Sequence, residues 1–204
     1  MTDKFTTLGF LVSGRGSNMQ AIIQACNVGK LNAKPVVVIS NNVTAEALNV
    51  ARNEMIPAFH LSRNTHPDAG QLDRIITETL QQHQVDLVIL AGYMKKIGPV
   101  LLKAYRNRII NIHPSLLPKF GGQGMYGMRV HAAVLASGER KTGVTVHLVD
   151  NDYDSGSILE QRQVDVLAGD TQESLAARVL AVEHELYVDV LQNILEGKIT
   201  LPDQ

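Results

Sequence analysis

Residues 86–92 read Asp-Leu-Val-Ile-Leu-Ala-Gly, and this stretch decides the fold class. Its core, Leu87–Ala91, is apolar at every position instead of alternating with polar residues. An uninterrupted apolar run of this length is typical of a strand that is buried on both faces. Such strands belong to parallel sheets with helices packed on each side, so the run predicts a central strand of an α/β domain.

The sequence around this run alternates between short β-rich segments and longer segments with helical spacing. Further short segments predict strands at Leu8–Val12, Pro35–Ser40 and Arg108–Ile112. Apolar residues three and four positions apart predict helices at Asn18–Val28, Ala45–Glu54 and Gln71–Gln82. This alternation predicts a mostly parallel sheet with helices on both faces, Rossmann-like in the N-terminal half.

The pattern changes after residue 113. The segment His113–Gly127 is rich in proline and glycine and predicts a long loop, a feature that is usually functional or mobile in a compact domain. The remaining predicted elements are a helix at Val130–Ser137, neighbouring strands at Gly143–Val149 and Ser157–Val166, and a long helix at Thr171–Leu195. We expect Thr171 to cap that last helix and Gly197 to end it. The chain is therefore predicted to be one domain over residues 1–204, with mixed strands in its C-terminal part.

Composition excludes several classes of protein. The 204 residues carry 19 Lys+Arg against 20 Asp+Glu, so no basic surplus is present for nucleic-acid binding. The one cysteine, Cys26, excludes a disulfide framework and a cysteine-rich zinc site, and we interpret it as structural. The stretch Met1–Phe10 lacks the pattern of a secretion signal, and no apolar run approaches about 18 residues. We therefore expect a soluble cytoplasmic protein that contacts no membrane.

A glycine-rich segment, Ser13-Gly-Arg-Gly-Ser-Asn18, follows the first predicted strand and opens the first helix. This position favours anion binding at a helix N-terminus. The segment departs from a dinucleotide fingerprint, because Met19 replaces the third small residue and Ser40-Asn-Asn42 replaces the acidic residue that would hold a ribose. A single bound phosphate fits better, and a tight turn that only caps the helix is the alternative.

The stretch Asn111-Ile-His-Pro-Ser-Leu-Leu-Pro118 follows directly on a predicted strand. Residues two apart on a strand point to the same side, so Asn111 and His113 are expected to face together. They would lie at the carboxyl edge of the sheet, where open α/β sheets bind ligands. Histidine can act as acid or base near neutral pH, and asparagine can donate to an oxyanion. The pair indicates a catalytic site, and the alternative is a pair that only caps the strand end.

An acidic loop, Asp150-Asn-Asp-Tyr-Asp-Ser-Gly156, joins the two predicted C-terminal strands. Its alternating acids resemble a calcium loop, but the turn glycine is seventh instead of sixth, and Gln161 stands at the twelfth position where glutamate belongs. We therefore expect no metal site there. The loop is interpreted as directing one carboxylate into a cleft, with a solvated turn as the alternative. A carboxylate beside a histidine favours the imidazolium and raises the pKa of that histidine.

These signals occur in one order along nearly the whole chain. They are the loop at residues 13–18, Leu90-Ala-Gly-Tyr-Met94, the stretch 111–118, Gly143-Val-Thr-Val-His147, and Asp154 with Gly156. Together they resemble the phosphoribosylglycinamide formyltransferases, a family of folate-dependent enzymes of purine synthesis. The stretch 111–118 is the most specific part, since it is typical of folate formyltransferases and their relatives. The loop at residues 13–18 favours the glycinamide ribonucleotide branch.

The resemblance implies a reaction in which the amine of glycinamide ribonucleotide attacks the formyl carbon of 10-formyltetrahydrofolate, the co-substrate. No metal is implied. Asn111, His113 and Asp154 match the catalytic trio of the family. An imidazolium His113 would act as general acid and, with Asn111, stabilise the tetrahedral oxyanion. Asp154 would raise the pKa of His113 and relay protons through water.

The resemblance also implies ligand contacts. The matching residues are Gly16, Ser17 and Asn18 for the nucleotide phosphate, Glu183 and Pro114 for the nucleotide substrate, and Met94, Lys95, Lys96, Ile97, Asn111 and Asp150 for the folate. Residues 1–113 would then form a nucleotide-binding half. Residues 114–204 would form the folate and catalytic-loop half with the C-terminal helix. We expect small molecules as the only ligands, and a monomer or homodimer as the assembly.

Some features depart from the family pattern. Lys95 stands where arginine is common, which replaces a forked donor with a point charge, and Leu180 stands where some members have a polar phosphate contact. The segment Gly121–Gly127 is longer than in some relatives. We expect it to be a mobile flap over the nucleotide, with His131 as a further contact. A surface loop and a helix-start histidine are the alternatives, and His147 is expected to give support.

Two other kinds of folate enzyme have a similar pattern: formyltetrahydrofolate hydrolase and other folate-dependent formyltransferases, such as the methionyl-tRNA enzyme. The hydrolase normally carries an N-terminal regulatory domain and the tRNA enzyme a C-terminal RNA-binding domain. We expect neither domain here, because the first loop lies near the start of the sequence and the chain ends soon after Gly197. A binding module without catalysis is disfavoured by the complete trio.

Overall fold

The computed structural model describes residues 5–204 as one α/β domain built around a seven-stranded sheet. The strands are β1 (Thr6–Val12), β2 (Ala33–Ser40), β3 (Ala58–His60), β4 (Leu87–Leu90), β5 (Ile109–His113), β6 (Lys141–Leu148) and β7 (Ile158–Asp165). The helices are α1 (Ser17–Asn27), α2 (Glu46–Asn53), α3 (Ala69–Gln82), α4 (Pro99–Ala104), α5 (Met128–Ser137) and α6 (Gln172–Leu195). The prediction that Met1–Phe10 is not a secretion signal includes residues 1–4, which lie outside the described residues.

The strand order is β3-β2-β1-β4-β5-β6-β7. The strands from β3 to β5 pair in parallel, whereas β6 and β7 are antiparallel to their neighbours. This confirms the predicted mostly parallel sheet with a mixed C-terminal part. The chain runs outward from β1 to β3 and then returns to place β4 on the other side of β1. A reversal of this kind opens a crevice at the carboxyl ends of the strands, where ligands bind in open α/β sheets.

Helices cover both faces of the sheet, as the apolar run at residues 87–91 predicts. All four residues of β4 are buried. One face packs against α1, α2, α5 and α6, and the other against α3 and α4. From α6, the fully buried Tyr187 donates from its hydroxyl to the carbonyl oxygens of Leu90 (3.1 Å) and Ile110 (2.8 Å). This contact fixes α6 across the two central strands that lead into the crevice.

The ends of α6 agree with the sequence prediction. The hydroxyl of Thr171 accepts from the Ser174 amide at 3.2 Å, and the Ser174 hydroxyl accepts from the Thr171 amide at 2.9 Å, which makes a capping box. Gly197, with φ +72°, follows the last turn. The helix therefore begins and ends where side chains and a left-handed glycine satisfy its free backbone groups.

Two short elements are additional to the sequence predictions, namely β3 and α4. The strand β3 has three residues at the edge of the sheet, too few to show a periodicity. The helix α4 has six residues and begins at Pro99, and its free amides are capped by Asp73 from α3. The Asp73 carboxylate accepts from Val100 at 2.7 Å and from Leu101 at 3.2 Å. A cap supplied from another helix leaves no signal in the local sequence. Among residues 5–204, no helix is both long and apolar enough to cross a membrane.

Candidate active site

Two adjoining cavities open at the carboxyl ends of β1, β4 and β5. The central cavity, about 330 Å³, is lined by residues of both chain halves, including Asn111, His113, Pro114, His131 and Glu183. The loop cavity, about 250 Å³, is lined by residues 13–18 together with Ala91, Gly92, Met94, Leu180 and Glu183. Several residues line both cavities, so together they form one continuous cleft. The proposed phosphate loop thus opens into the space that contains the catalytic candidates.

Asp154 lies between two buried histidines. Its Oδ2 is 3.5 Å from Nδ1 of His113, and its Oδ1 is 3.6 Å from Nε2 of His147. His113 comes from the end of β5 and His147 from β6, while Asp154 comes from the loop that follows β6. Antiparallel pairing of β5 with β6 aligns Asn111 opposite His147, which brings these four side chains together. The predicted trio is therefore assembled in space, with His147 as a fourth member.

His147 fixes the orientation of Asn111. Its Nδ1 donates to the Leu148 carbonyl at 2.8 Å, which leaves Nε2 as an acceptor. Nδ2 of Asn111 donates to that Nε2 at 3.0 Å. One amide hydrogen of Asn111 is used in this bond, and the other remains for a ligand. The support that we expect from His147 therefore takes the form of direct contact with Asn111 and with Asp154.

The start of the Gly121–Gly127 segment is hydrogen-bonded to the trio of Asn111, His113 and Asp154 through two of its members. Nε2 of His113 donates to the Phe120 carbonyl at 2.8 Å, and the Gly122 amide donates to Oδ2 of Asp154 at 2.9 Å. A Cβ atom at Gly121 would lie 2.4 Å from a terminal methyl carbon of Leu117, so a side chain there would require Leu117 to move. The Phe120 carbonyl holds the proton of His113 on Nε2, and Nδ1 is the nitrogen that faces Asp154.

Asp154 raises the pKa of His113, as the sequence predicts, but the net pKa of His113 lies below its ordinary value. Burial lowers the pKa of His113, and the smaller opposing effects of Asp154 and the Phe120 carbonyl do not outweigh it. The neighbouring His147 lowers that pKa further. For Asp154, burial raises the pKa, but hydrogen bonds and the two histidines outweigh it, so its pKa is lowered and the group is a carboxylate. The sequence reveals the partner charge but not the depth of burial.

The glycine-rich loop has the geometry that an anion site requires. Gly16 adopts φ +70°, and a Cβ atom there would lie 2.7 Å from the Cβ of Ala47. The helix α1 begins at Ser17, so the amides of its first turn have no acceptor within the helix. Asn18 is buried, and its Nδ2 donates to Oε2 of Glu183 at 2.8 Å. Burial raises the pKa of Glu183 to about 7, an effect that the bond from Asn18 partly opposes.

The predicted folate residues divide between two places. Lys95, Lys96 and Ile97 line a pocket of about 70 Å³ together with Asn111, His147, Asp150 and Tyr153, and they also line a neighbouring cavity of about 650 Å³ against α3. Met94 lies instead on the central and loop cavities. Asn111 faces both the pocket and the central cavity, so its amide stands between the two proposed ligands. Oδ1 of Asp150 accepts from Asp152 and Ser155 and so shapes its own loop.

Sequence reasoning missed several lining residues. Ser13 joins two loops, because its hydroxyl accepts from the Met94 amide at 2.8 Å and donates to Oδ1 of Asn41 at 2.5 Å. Ser13 is the first residue of the glycine-rich segment, and its position directly after β1 could have indicated that it lines the cleft. Tyr93, which lines three of the cavities, is adjacent to the Met94–Ile97 segment. The 650 Å³ cavity has no sequence signal, because α3 and the residues before α4 meet only in the fold.

Comparisons with known proteins agree with this architecture. Residues 7–191 match the sequence model of a family described as formyl transferase. A Vigna unguiculata relative, named phosphoribosylglycinamide formyltransferase, chloroplastic, is 46% identical over 94% of this chain, which spans 62% of that relative's length. A Haemophilus influenzae relative, named phosphoribosylglycinamide formyltransferase, is 37% identical over 96% of this chain and 90% of the relative. The crystal structure of glycinamide ribonucleotide transformylase 1 from Symbiobacterium toebii has TM-score 0.90 and 39% identity, covering 97% of this chain and 91% of that one.

Proposed function

The chain belongs to the formyl transferase family, and we propose that it transfers a formyl group from 10-formyltetrahydrofolate to the amine of 5′-phosphoribosylglycinamide. The products are formylglycinamide ribonucleotide and tetrahydrofolate, and the pathway is de novo purine biosynthesis. One observation carries the proposal: Asn111, His113 and Asp154 meet where a phosphate-type loop and a second pocket converge.

The two ligands are assigned to the two sides of Asn111. The nucleotide occupies the central and loop cavities, with its phosphate on the amides of Gly16, Ser17 and Asn18. Glu183 accepts from a hydroxyl of the ribose, and Pro114 lines the same cavity. The folate occupies the side lined by Lys95, Lys96, Ile97 and Asp150, with Met94 at the boundary between the ligands. The two lysines suit an anionic co-substrate, and no metal is part of the proposal.

The proposed reaction forms one C–N bond and breaks another. The nucleotide amine attacks the formyl carbon, and the formyl oxygen becomes an oxyanion in the tetrahedral intermediate. The free amide hydrogen of Asn111 donates to that oxyanion, which is the kind of stabilisation that lowers acyl-transfer barriers. The bond from the formyl carbon to N10 of the folate then breaks. The amine loses one proton and N10 gains one, so protons balance over the reaction.

The pair of His113 and Asp154 carries that proton. His113 is neutral in the free protein, with a lone pair on Nδ1, and can accept the proton that the attacking amine releases, directly or through one water. The developing oxyanion and the Asp154 carboxylate both favour the resulting imidazolium. The imidazolium supports the intermediate and returns the proton to N10. This assignment keeps His113 as the general acid of the second step and makes it the base of the first.

The test is an absorbance assay with 10-formyltetrahydrofolate, run with and without glycinamide ribonucleotide. We expect the folate product only when the nucleotide is present. Release of formate without the nucleotide would assign the chain to the hydrolase reaction instead. His113→Ala is expected to reduce the rate of transfer at least hundredfold, and a near-normal rate in that variant would overturn the catalytic assignment.

We also propose a cytoplasmic location and a monomer or homodimer. The single cysteine supports a reducing compartment, and three plant relatives are named as chloroplastic. Cell fractionation tests the compartment, and sedimentation equilibrium tests the assembly. Recovery in a membrane or organelle fraction, or a larger assembly, would contradict these two proposals without affecting the reaction.

A further inference from the structure

His131 is the buried polar side chain of the central cavity to which the reaction above gives no role. It lies in the first turns of α5, is 5% exposed, and lines the cavity together with His113 and Glu183. Within residues 5–204, its Nδ1 is buried without a hydrogen-bond partner. Buried polar atoms are nearly always paired, so an unpaired ring on a ligand cavity calls for an explanation.

The two ring nitrogens of His131 differ in their surroundings. Nδ1 is sealed inside the protein, where an N–H group without an acceptor would be costly. The proton therefore belongs on Nε2, which is the nitrogen left to reach the cavity. Burial lowers the pKa of His131, and the nearby His113 lowers it further. The ring is therefore a neutral donor.

The position of His131 selects the part of the substrate that it can reach. The glycine-rich loop and the α1 N-terminus lie at one end of the cleft, and Glu183 with Asn18 lies next to them. His131 lines the central cavity with His113 and Pro114 but does not line the loop cavity, so it lies toward the reacting end. The oxygen atom of the nucleotide substrate adjacent to the reacting amine is the glycinamide carbonyl.

We propose that His131 is a substrate-binding residue whose neutral Nε2–H donates to the glycinamide carbonyl oxygen of the nucleotide. The proposal rests on the function proposed above and adds one residue to it. The bond fixes the short arm that carries the amine and so directs the amine at the formyl carbon. His131 makes no bond to the folate, so the two ligands are expected to respond differently to its replacement.

The first experiment compares His131→Leu with His131→Gln and with wild type. We expect His131→Leu to raise the KM for glycinamide ribonucleotide about tenfold, which is the usual worth of one hydrogen bond. The KM for the formyl folate should change less than twofold. His131→Gln retains a neutral donor and should recover part of the loss. Equal changes in both KM values, or none in either, would overturn the proposal.

The matched control is His184→Leu. His184 also has a ring nitrogen that is buried without a partner within the described part of the chain, but it does not line the central cavity. Its replacement should leave both KM values within twofold of wild type. If His131→Leu fails to fold, as its thermal unfolding would reveal, the comparison is made with His131→Gln and the analogues described next.

The second experiment measures binding of two carbocyclic nucleotide analogues, one with the glycinamide carbonyl and one with a methylene group in its place. Wild type should bind the first about tenfold more tightly, and His131→Leu and His131→Gln should lose all or part of that preference. An undiminished preference in both variants would overturn the proposal. Failure of the wild type to formylate glycinamide ribonucleotide would instead overturn the proposed function, so the two failures are distinguishable.

Discussion

At the scale of single residues, the pKa values of the site are set by burial and by a few close partners. Burial lowers the pKa of His113, and Asp154 at 3.5 Å partly restores it. Burial also raises the pKa of Glu183 to about 7, against a single bond from Asn18. Glu183 is thus held near the pH at which it can change protonation, which is a common property of functional residues.

The charge of Asp154 is expected to control His113. Asp154→Asn removes the effect that raises the pKa of His113, so that pKa should fall further below its ordinary value. Because a protonated His113 is needed in the intermediate, formyl transfer should slow about hundredfold. Because neutral His113 accepts the proton in the first step, the loss of activity with falling pH should begin at lower pH than in wild type. NMR titration of the His113 ring measures the shift directly. An unchanged His113 pKa in the variant would show that Asp154 does not act through its charge.

Glu183 is expected to make stability depend on pH. Its pKa is about 7 when folded and near 4.5 when unfolded, so the folded state binds the proton more tightly. The free energy of unfolding should therefore fall as pH rises from about 4.5 to 7, by up to about 3 kcal/mol, and stay level above that range. Glu183→Gln should remove this slope while keeping the Asn18 contact. Urea unfolding at pH 5 and pH 8 tests this, and parallel pH dependence in both proteins would contradict it.

At the scale of elements, α4 and the residues before it depend on one carboxylate. Asp73 on α3 caps the first two amides of α4 and is buried, and the segment Lys95–Ile97 lies directly before that helix. Asp73→Ala should therefore lower the free energy of unfolding by about 1–2 kcal/mol and raise the KM for the formyl folate several-fold. Steady-state kinetics and urea unfolding measure the two effects.

Asp68 provides the matched control for this cap. Its carboxylate caps α3 by accepting from the Gln71 amide at 2.6 Å, and it is exposed. Asp68→Ala should cost a similar free energy of unfolding without changing the KM for the formyl folate. Equal effects of Asp68→Ala and Asp73→Ala on that KM would show that the Asp73 cap does not position the folate segment.

At the scale of the whole molecule, the sequence predicts the sheet better than it predicts the cavities. The run at residues 87–91, the helical spacings and the caps of α6 are local patterns, and the structure confirms the class and layout that they indicate. The common side of Asn111 and His113 also follows from their spacing on one strand, whereas Asp154 reaches them from the loop after the antiparallel β6. Other features depend on distant segments, so no local pattern reveals them. They are the burial of His113, its hydrogen bond to the Phe120 carbonyl, and the cap that Asp73 provides for α4.

The sequence predicts a nucleotide half and a folate half, but residues distant in sequence meet across this division. The central cavity takes Asn18 from the first half and Glu183 from the second, and these two residues bond to each other. The proposed nucleotide site therefore needs both halves of the sequence. Leu180, which departs from the family pattern, also belongs to the second half of the chain. This apolar residue lines both the central cavity and the loop cavity.

The most direct test of the central claim follows the formyl carbon itself. 10-Formyltetrahydrofolate labelled with ¹³C in the formyl group is mixed with glycinamide ribonucleotide and the protein, and the fate of the label is read by NMR. We predict that the signal moves to the formamide carbon of the nucleotide, that this requires the nucleotide, and that His113→Ala slows it at least hundredfold. Accumulation of labelled formate, or transfer at an unchanged rate in His113→Ala, would contradict the account.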